Sequence, residues 1–342
     1  MSGPYTVVGG GAIGGTLAFH LARAGHDVQV VDTDAAHVAA IRARGLVIRS
    51  ADGSERSAPL AACGPDEATG SLGAVILAVK AHATTPAARW IAPRLAGDGY
   101  VASLQNGLCE REIAAEVGAS RTVSAFVNLF ADLVEPGVIA DGGPGALVVG
   151  ELDGTVSPRV RALVADLQAW GPAVASGNVA GFLWSKLAYG IVGAASAAVD
   201  DPIFATIEAF PDLTVALARE VYAVAAAQGI APESFDAWEA DAFRSDAPPE
   251  RTRAALARFC AWLRTQPKTR TGIWRDIAVR HRPTEVPAQY GPVLEVAAAH
   301  GIACPGIGAV LAMIGALERG RPRRRDNLVE LDEAIRNGRN GS

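Results

Sequence analysis

Three glycines near the start of the chain stand at the spacing that lets a backbone hold an anion. Gly9, Gly11 and Gly14, in Gly9-Gly10-Gly11-Ala12-Ile13-Gly14, are in G-x-G-x-x-G register. They lie between the β-branched run Tyr5-Thr6-Val7-Val8 and a helix-forming stretch, Thr16 to Ala24, that stops at Gly25. Gly9 permits a tight turn out of a strand, Gly11 lets a pyrophosphate approach the backbone, and Gly14 lets the helix pack closely on the strand. The open N–H groups of the first helical turn, with Ala12 and Ile13, then face the anion. A second strand, Val28-Gln29-Val30-Val31, ends in Asp32, 23 residues after Gly9. That is close to the roughly 20 expected of the acid that binds a ribose 2′-OH. A glycine-rich turn with no ligand is the plain alternative, and the strand–turn–helix–strand context speaks against it.

Four further polar residues fit chemistry beside such a cofactor. Lys80 follows the apolar run Ala74–Val79, and Asn106 follows Tyr100–Leu104. Ligands of open α/β sheets bind outside the carboxyl ends of the strands. Singly, these are a strand-end lysine and an ordinary Asn-Gly turn; their common edge with the glycine turn raises both. Lys186 stands among apolar neighbours in Leu183-Trp184-Ser185-Lys186-Leu187-Ala188-Tyr189, at the start of an Ala-rich helix. A lysine there must snorkel, pair or line a cavity. Facing a cofactor cleft, its ammonium would give a proton to a carbonyl oxygen as hydride arrives at carbon, and would stabilise the developing alkoxide. Glu285, in His281-Arg282-Pro283-Thr284-Glu285-Val286-Pro287, opens another helix, where the dipole favours a carboxylate in any case.

The elements that must position these residues alternate in the first half. A helix is expected over Ala35–Arg44, ending at Gly45, then a hairpin or meander over residues 46–62 around Asp52-Gly53-Ser54. Ala74–Val79 reads as a central parallel strand covered on both faces. A helix through Leu95 and strands at Tyr100–Leu104, Thr122–Phe130 and Ala146–Gly150 follow, the last two separated by the turn Glu135-Pro136-Gly137. This alternation implies a Rossmann-type doubly wound parallel sheet. From about Gly177 the segments Gly181–Val199, Leu213–Gln228, Pro249–Thr265, Val286–His300 and Gly308–Glu318 have helical periodicity, punctuated by Gly and Pro. The fold class expected is therefore α/β followed by an all-helical domain: a dinucleotide-binding domain over 1–175 and a helical substrate and dimerisation domain over 176–336. Asn337 to Ser342 is expected to fray.

The bulk properties exclude several classes. The 342 residues suffice for two domains, and 50% hydrophobic with 20% charged residues is a globular composition. A net charge of −5 argues against a nucleic-acid surface. The one basic run, Arg319 to Arg325, reads as a solvated tail or helix-end patch. The cysteines Cys63, Cys109, Cys260 and Cys304 form no C-x-x-C pair, and the histidines no ligand spacing, so neither metal nor disulfide framework is expected. The first strand begins almost at residue 5, leaving no room for a signal peptide. The apolar runs break before about 18 residues, Leu187–Val199 coming nearest, so no membrane span is expected. The expectation is a cytoplasmic protein with a small-molecule substrate.

These residues together resemble the ketopantoate reductase (2-dehydropantoate 2-reductase) family over roughly residues 4–320. The strand and G-x-G-A-[IL]-G start matches Gly9–Gly14, the strand-end lysine matches Leu77-Ala78-Val79-Lys80-Ala81, and the asparagine-glycine turn matches Gln105-Asn106-Gly107. The family's general-acid lysine matches Trp184-Ser185-Lys186-Leu187, and its R-x-T-E motif matches Arg282-Pro283-Thr284-Glu285. The resemblance implies an NAD(P)-dependent reductase acting on a carbonyl/CH–OH pair, with Lys186 as proton donor and Glu285 positioning the substrate hydroxyl. Asn106 and Lys80 would hold the nicotinamide ribose and the substrate.

The chain departs from that pattern in its pocket. Family asparagines four and eight residues after the lysine, which contact substrate, are here Gly190 and Ala194. A family serine that binds the substrate carboxylate falls in Lys268–Asp276, where Thr271 is the hydroxyl candidate; Lys268, Arg270, Arg275 and Arg282 are candidates for an anionic group. After the glutamate the chain reads Val286-Pro287-Ala288-Gln289-Tyr290-Gly291 in place of an acid and Asn-Gly. Each lost amide hydrogen bond is worth roughly 0.5–1.5 kcal/mol, so a 2-oxo acid other than ketopantoate is expected. NADPH-using relatives carry an arginine after the second strand; Val31-Asp32-Thr33-Asp34 has none, which favours NAD while leaving NADP possible. A β-hydroxyacid dehydrogenase with the same layout and a helix lysine is the alternative enzyme. A non-catalytic NAD(H) sensor is the alternative from another class, and the helical half is expected to form a homodimer.

Overall fold

A computed structural model describes residues 4–266 and 268–340, the side chains of 338–340 excepted. It divides into two compact units, one up to Val179 and one from Ala180. The strands of the first unit are β1 (Tyr5–Val8), β2 (Val28–Val31), β3 (Leu46–Arg49), β4 (Glu55–Ala58), β5 (Ala61–Cys63), β6 (Leu72–Leu77), β7 (Leu95–Ser103), β8 (Thr122–Val127), β9 (Asp132–Glu135), β10 (Val138–Ala140), β11 (Leu147–Glu151) and β12 (Ala173–Ala175). Its helices are α1 (Ala12–Arg23), α2 (Ala35–Arg44), α3 (Thr84–Ile91), α4 (Glu110–Val117) and α5 (Pro158–Leu167).

Eight strands form the main sheet in the order β12-β11-β8-β7-β6-β1-β2-β5. Both its faces are covered, which is why its central strands are apolar without alternation. Val7, Val30 and Ile76 enter one core cluster with residues of α1, α2 and α5, while Val8, Val31 and Leu77 enter the other with residues of α3 and α4. The sheet is not wholly parallel as expected: β11 runs antiparallel to β8. The reason is the connection. A parallel return needs a crossover of a dozen or more residues, usually a helix, and residues 128–146 contain only the short strands β9 and β10. The turn Glu135-Pro136-Gly137 therefore closes a hairpin of its own. With the expected hairpin β3–β4, it forms a second sheet in the order β4-β3-β10-β9.

The second unit is helical: α6 (Val179–Ser196), α7 (Ile203–Ala209), α8 (Pro211–Ala227), α9 (Pro249–Thr265), α10 (Gly272–Ala278), α11 (Val286–Ala299), α12 (Pro305–Glu318) and α13 (Arg325–Asn340). At 18 residues α6 is long and apolar enough to cross a membrane by length and composition, in contrast to the shorter run expected; 72% of it is buried inside the fold, as in a core helix. The expected fraying from Asn337 does not hold to Asn340, where α13 ends; Gly341 and Ser342 lie outside the described residues. Buried Leu328, Leu331 and Ile335 give α13 its apolar stripe. The basic run before it is tied down: Arg321 pairs with Glu330, and Arg323 Nε lies 2.6 Å from Asp200 Oδ1.

Candidate functional site

In the first unit the glycine turn is held at Gly10 from both sides. The Gly10 N–H donates to Asp32 Oδ2 at 2.7 Å, and its carbonyl lies 2.8 Å from His37 Nε2. Because the Gly137 N–H donates to His37 Nδ1 at 2.9 Å, Nε2 carries the hydrogen and donates to Gly10. His37 thus ties α2, the glycine turn and the β9–β10 hairpin, a role its isolated position in the sequence did not signal. Gly9 has φ +94°, and a Cβ there would lie 2.9 Å from the Ala78 carbonyl carbon. A Cβ on Gly14 would lie 2.0 Å from the Gly9 oxygen, so only glycine lets α1 approach β1. At Gly11 a Cβ would meet nothing within 4 Å. Gly11 caps α1 without a side-chain hydrogen bond, and no acidic residue stands in the first turn. Space above Gly11, with the first-turn N–H groups of Ala12 and Ile13 beneath it, fits a pyrophosphate.

Asp32 Oδ1 also accepts from the Asp34 N–H at 2.9 Å, while Asp34 caps α2 through the N–H groups of Ala36 and His37. Two carboxylates, and no cation from the Val31–Asp34 segment, therefore stand at the end of β2. Lys80 is exposed, three residues past β6, and begins a single 3₁₀ turn. Asn106 lies beyond β7, its Oδ1 buried and without a hydrogen-bond partner among the described residues. A buried orphan acceptor calls for a donor, and a ribose hydroxyl or carboxamide would supply one. Gln105 joins these two strand ends, its Nε2 donating to the Val79 carbonyl at 3.0 Å and to Thr84 Oγ1 at 2.8 Å. Glu110, at the start of α4, is buried beside Ser124 Oγ at 3.2 Å; burial pushes its carboxyl up to about 7.

In the second unit Lys186 lies in α6 with part of its surface accessible and its ammonium deep among protein atoms. Burial pushes its pKa down to about 8, against the opposing pull of Glu285 and then Asp236. Glu285 is the N-cap residue of α11 but its side chain does not cap that helix. Its segment is clamped on both sides. Arg282 donates from Nε to Asp276 Oδ1 at 3.0 Å, and the Thr284 N–H donates to Glu318 Oε1 at 2.8 Å.

The positions of the two missing asparagines are filled by packing. A Cβ on Gly190 would lie 2.7 Å from Tyr290 Oη, and Ala194 is buried at 1% exposure. Tyr290 is fully buried and donates to the Leu187 carbonyl at 2.6 Å. The Thr271 hydroxyl accepts from the Trp274 N–H at 3.1 Å, so it serves first as the cap of α10. Among the cations near this segment, Arg282 is paired with Asp276, and Arg270 donates to the Asp200 carbonyl at 2.6 Å and lies over the Trp274 ring.

One signal for the site lay unused in the composition. The chain holds 28 arginines and only three lysines, Lys80, Lys186 and Lys268. Arginine serves as a fixed charge but cannot give up a proton at neutral pH. A side-chain amine that can give up a proton near neutral pH is therefore confined to those three positions.

Comparison with known proteins accords with this arrangement. Residues 5–154 match the family described as ketopantoate reductase PanE/ApbA, and residues 178–318 match its C-terminal region. A 2-dehydropantoate 2-reductase of Mesorhizobium japonicum is 29% identical over 339 residues, covering 92% of this chain and 98% of that relative. The crystal structure of a PanE/ApbA family ketopantoate reductase from Ralstonia eutropha is 26% identical with a TM-score of 0.75, over 92% of this chain and 98% of that one. The ternary structure of D-mandelate dehydrogenase with NADH and anilino(oxo)acetate has a TM-score of 0.77 at 21% identity, over 92% and 98%, a likeness of fold. With both family regions present and in order, the chain belongs to the ketopantoate reductase family, a family of oxidoreductases.

Proposed function

We propose that this chain reduces the carbonyl of a 2-oxo acid to a hydroxyl, with Lys186 as proton donor and NADH preferred over NADPH. The observation that carries this reading is the Lys186 ammonium, brought down to about 8 by burial in a helix otherwise without charge. At pH 7 such a group is still charged, and it gives its proton to a developing alkoxide far more readily than an ordinary lysine. When bound, the reduced nicotinamide supplies the hydride to the carbonyl carbon. Lys186 Nζ supplies the proton to the carbonyl oxygen, and the neutral amine then regains one from solvent. In oxidation the same amine accepts the hydroxyl proton. Glu285 acts on the ammonium and positions the substrate hydroxyl. Asn106 offers its orphan amide oxygen, and Lys80 its ammonium, at the strand ends beside the glycine turn.

Asp32 supports the cofactor preference. Each of its oxygens takes one backbone N–H, leaving lone pairs for a ribose hydroxyl, and its charge repels a 2′-phosphate. The substrate reading rests on α6: glycine and alanine at 190 and 194 offer no amide, and Tyr290 fills the space beside 190, so the acid bound is less polar than ketopantoate. The named ligand of D-mandelate dehydrogenase, an oxoacetate bearing an anilino group, is of that kind.

The test is the loss of reduced-nicotinamide absorbance with NADH and NADPH across a panel of 2-oxo acids that includes ketopantoate, with Lys186→Ala in parallel. Turnover of a less polar 2-oxo acid with NADH, abolished in the variant, is the expected result. Preference for ketopantoate would overturn the substrate reading, and a higher kcat/KM with NADPH would overturn the cofactor reading.

A further inference from the structure

Among the described residues only two that are not glycine adopt a left-handed backbone, Asp236 with φ +46° and His281 with φ +49°. Both lie in loops that bring a carboxylate to Lys186: His281 precedes Glu285 by four residues, and Asp236 is itself a carboxylate whose charge acts on that lysine. Such backbone strain persists only where surrounding structure over-determines it.

The turn carrying Asp236 is built onto α6 at several points. The Phe235 N–H donates to the Trp238 carbonyl at 3.1 Å and the Trp238 N–H to the Phe235 carbonyl at 2.8 Å, closing a turn with Asp236 at its corner. Its two ends are buried, and Trp238 stacks on Phe243 with ring centroids 4.2 Å apart. From there Trp238 Nε1 donates to Tyr222 Oη at 2.8 Å, and Tyr222 Oη donates to Ser185 Oγ at 3.2 Å, on the residue before Lys186. The Glu233 N–H donates to the Gly181 carbonyl at 3.1 Å, a second tie to the same helix. Asp236 acts on Tyr189 as well as on Lys186. Tyr189, three residues after Lys186 and so on the same helix face, lies against Trp238 with ring centroids 5.9 Å apart, so the turn carrying Asp236 packs on the face of α6 that carries the lysine.

We propose that Asp236 is a positioning residue of the site: its carboxylate, aimed by the strained Phe235–Trp238 turn, is a second anion beside Glu285 that keeps the Lys186 ammonium charged and oriented. This deepens the proposed function and rests on its assignment of Lys186. Glu285 and Asp236 are the charged groups that act on Lys186. The nearby hydroxyls of Tyr189, Tyr222 and Tyr290 are phenols that burial keeps neutral.

Three lysines make the test direct. The full-length chain is labelled with isotopic lysine, the Lys186 signal is assigned with Lys80→Arg and Lys268→Arg, and its titration is followed by NMR. In Asp236→Asn the Lys186 midpoint is expected to fall by about one pH unit, as for loss of a nearby opposite charge, and strong salt to shrink the difference. Asn tolerates a left-handed backbone; Asp236→Gly, which adopts it freely, should give the same shift and covers a failure of the first variant to fold. A Lys186 midpoint unmoved in both variants would overturn the proposal. A moved midpoint together with full turnover by Lys186→Ala would leave Asp236 as the partner of the lysine and overturn the lysine's catalytic assignment instead.

Discussion

A Cβ atom at position 190 would lie 2.7 Å from the phenol oxygen of Tyr290 and 3.9 Å from the ring carbon that bears it. The helix glycine and the tyrosine are therefore a coupled pair, and the coupling has a sign that can be measured. Glycine to alanine inside a helix ordinarily gains about 1 kcal/mol. Here Gly190→Ala should lower the melting temperature, since over-packing costs about 1–3 kcal/mol. In a Tyr290→Phe background, where the offending oxygen is gone, the same change should raise it. Equal effects in the two backgrounds would show that the pair is not coupled.

That pair also governs the pocket. Gly190→Asn with Tyr290→Phe restores the amide that the chain lacks four residues after its lysine, and should improve kcat/KM for ketopantoate relative to a less polar 2-oxo acid. One added hydrogen bond corresponds to roughly threefold to tenfold at about 0.5–1.5 kcal/mol. Gly190→Asn alone should be poorly stable, and the comparison by thermal melting separates folding from specificity.

For Lys186, burial lowers the pKa to about 8 from an ordinary 10.5. Reduction needs the protonated form, so kcat/KM for reduction should fall above about pH 8, while oxidation should rise across the same limb. The unfolded chain holds this proton up to the higher value. Stability referable to the lysine is thus lowest below pH 8 and recovers as pH rises towards 10.5. Lys186→Met should accordingly abolish turnover yet melt a few degrees higher than the parent at pH 7, with the gap closing in alkali. A variant that melts lower at pH 7 would contradict the burial cost.

Glu110 offers the opposite case. Its folded pKa is raised to about 7 from 4.5, with burial the first cause. Below 4.5 the carboxyl is neutral in both states. Between 4.5 and 7 the unfolded chain loses the proton first, so stability falls as pH rises through that window. Glu110→Gln, which keeps an acceptor for Ser124, should match the parent near pH 4.5 and exceed it at pH 8 by up to about 3 kcal/mol. Denaturant melts at the two pH values decide it.

The brace at His37 predicts a loss at a distance. His37→Leu leaves the Gly10 carbonyl and the Gly137 N–H without their ring partners. Each unsatisfied buried group costs about 1–3 kcal/mol. NADH affinity, measured by fluorescence, should weaken together with stability, although the side chain stands behind the turn. Unchanged affinity with reduced stability would make the brace purely structural.

Much of this was legible from local residues. Helix α2 runs over the expected Ala35–Arg44 and stops at the expected Gly45, because a side-chain cap, which is Asp34, and a glycine of positive φ act within a few positions. The glycine register was likewise a local signal, whereas β6 stops at Leu77 short of the expected Val79, and β7 already begins at Leu95, where the helix was expected to end. The antiparallel β11 was less visible, since its direction follows from what the connection before it lacks. His37 and Asp236 were invisible: one has its partners 27 and 100 residues away, and the other gains its meaning only from a turn folded back on α6. Tyr290 was seen as a departure from a motif, but its fit to Gly190 needed coordinates. The polar helix α13 was missed although Leu328, Leu331 and Ile335 carried its stripe.

Helix α6 has a further consequence outside the native state. Lys186 is the only charged residue among its 18. Before the other helices cover it, the nascent segment is an apolar run of membrane-like length, and that one ammonium is its sole deterrent to sticking to other chains. A charge inside an aggregation-prone stretch acts as a gatekeeper. The residue assigned to proton transfer therefore also guards the folding chain, and a Lys186→Met protein that is harder to melt should be harder to refold at high concentration.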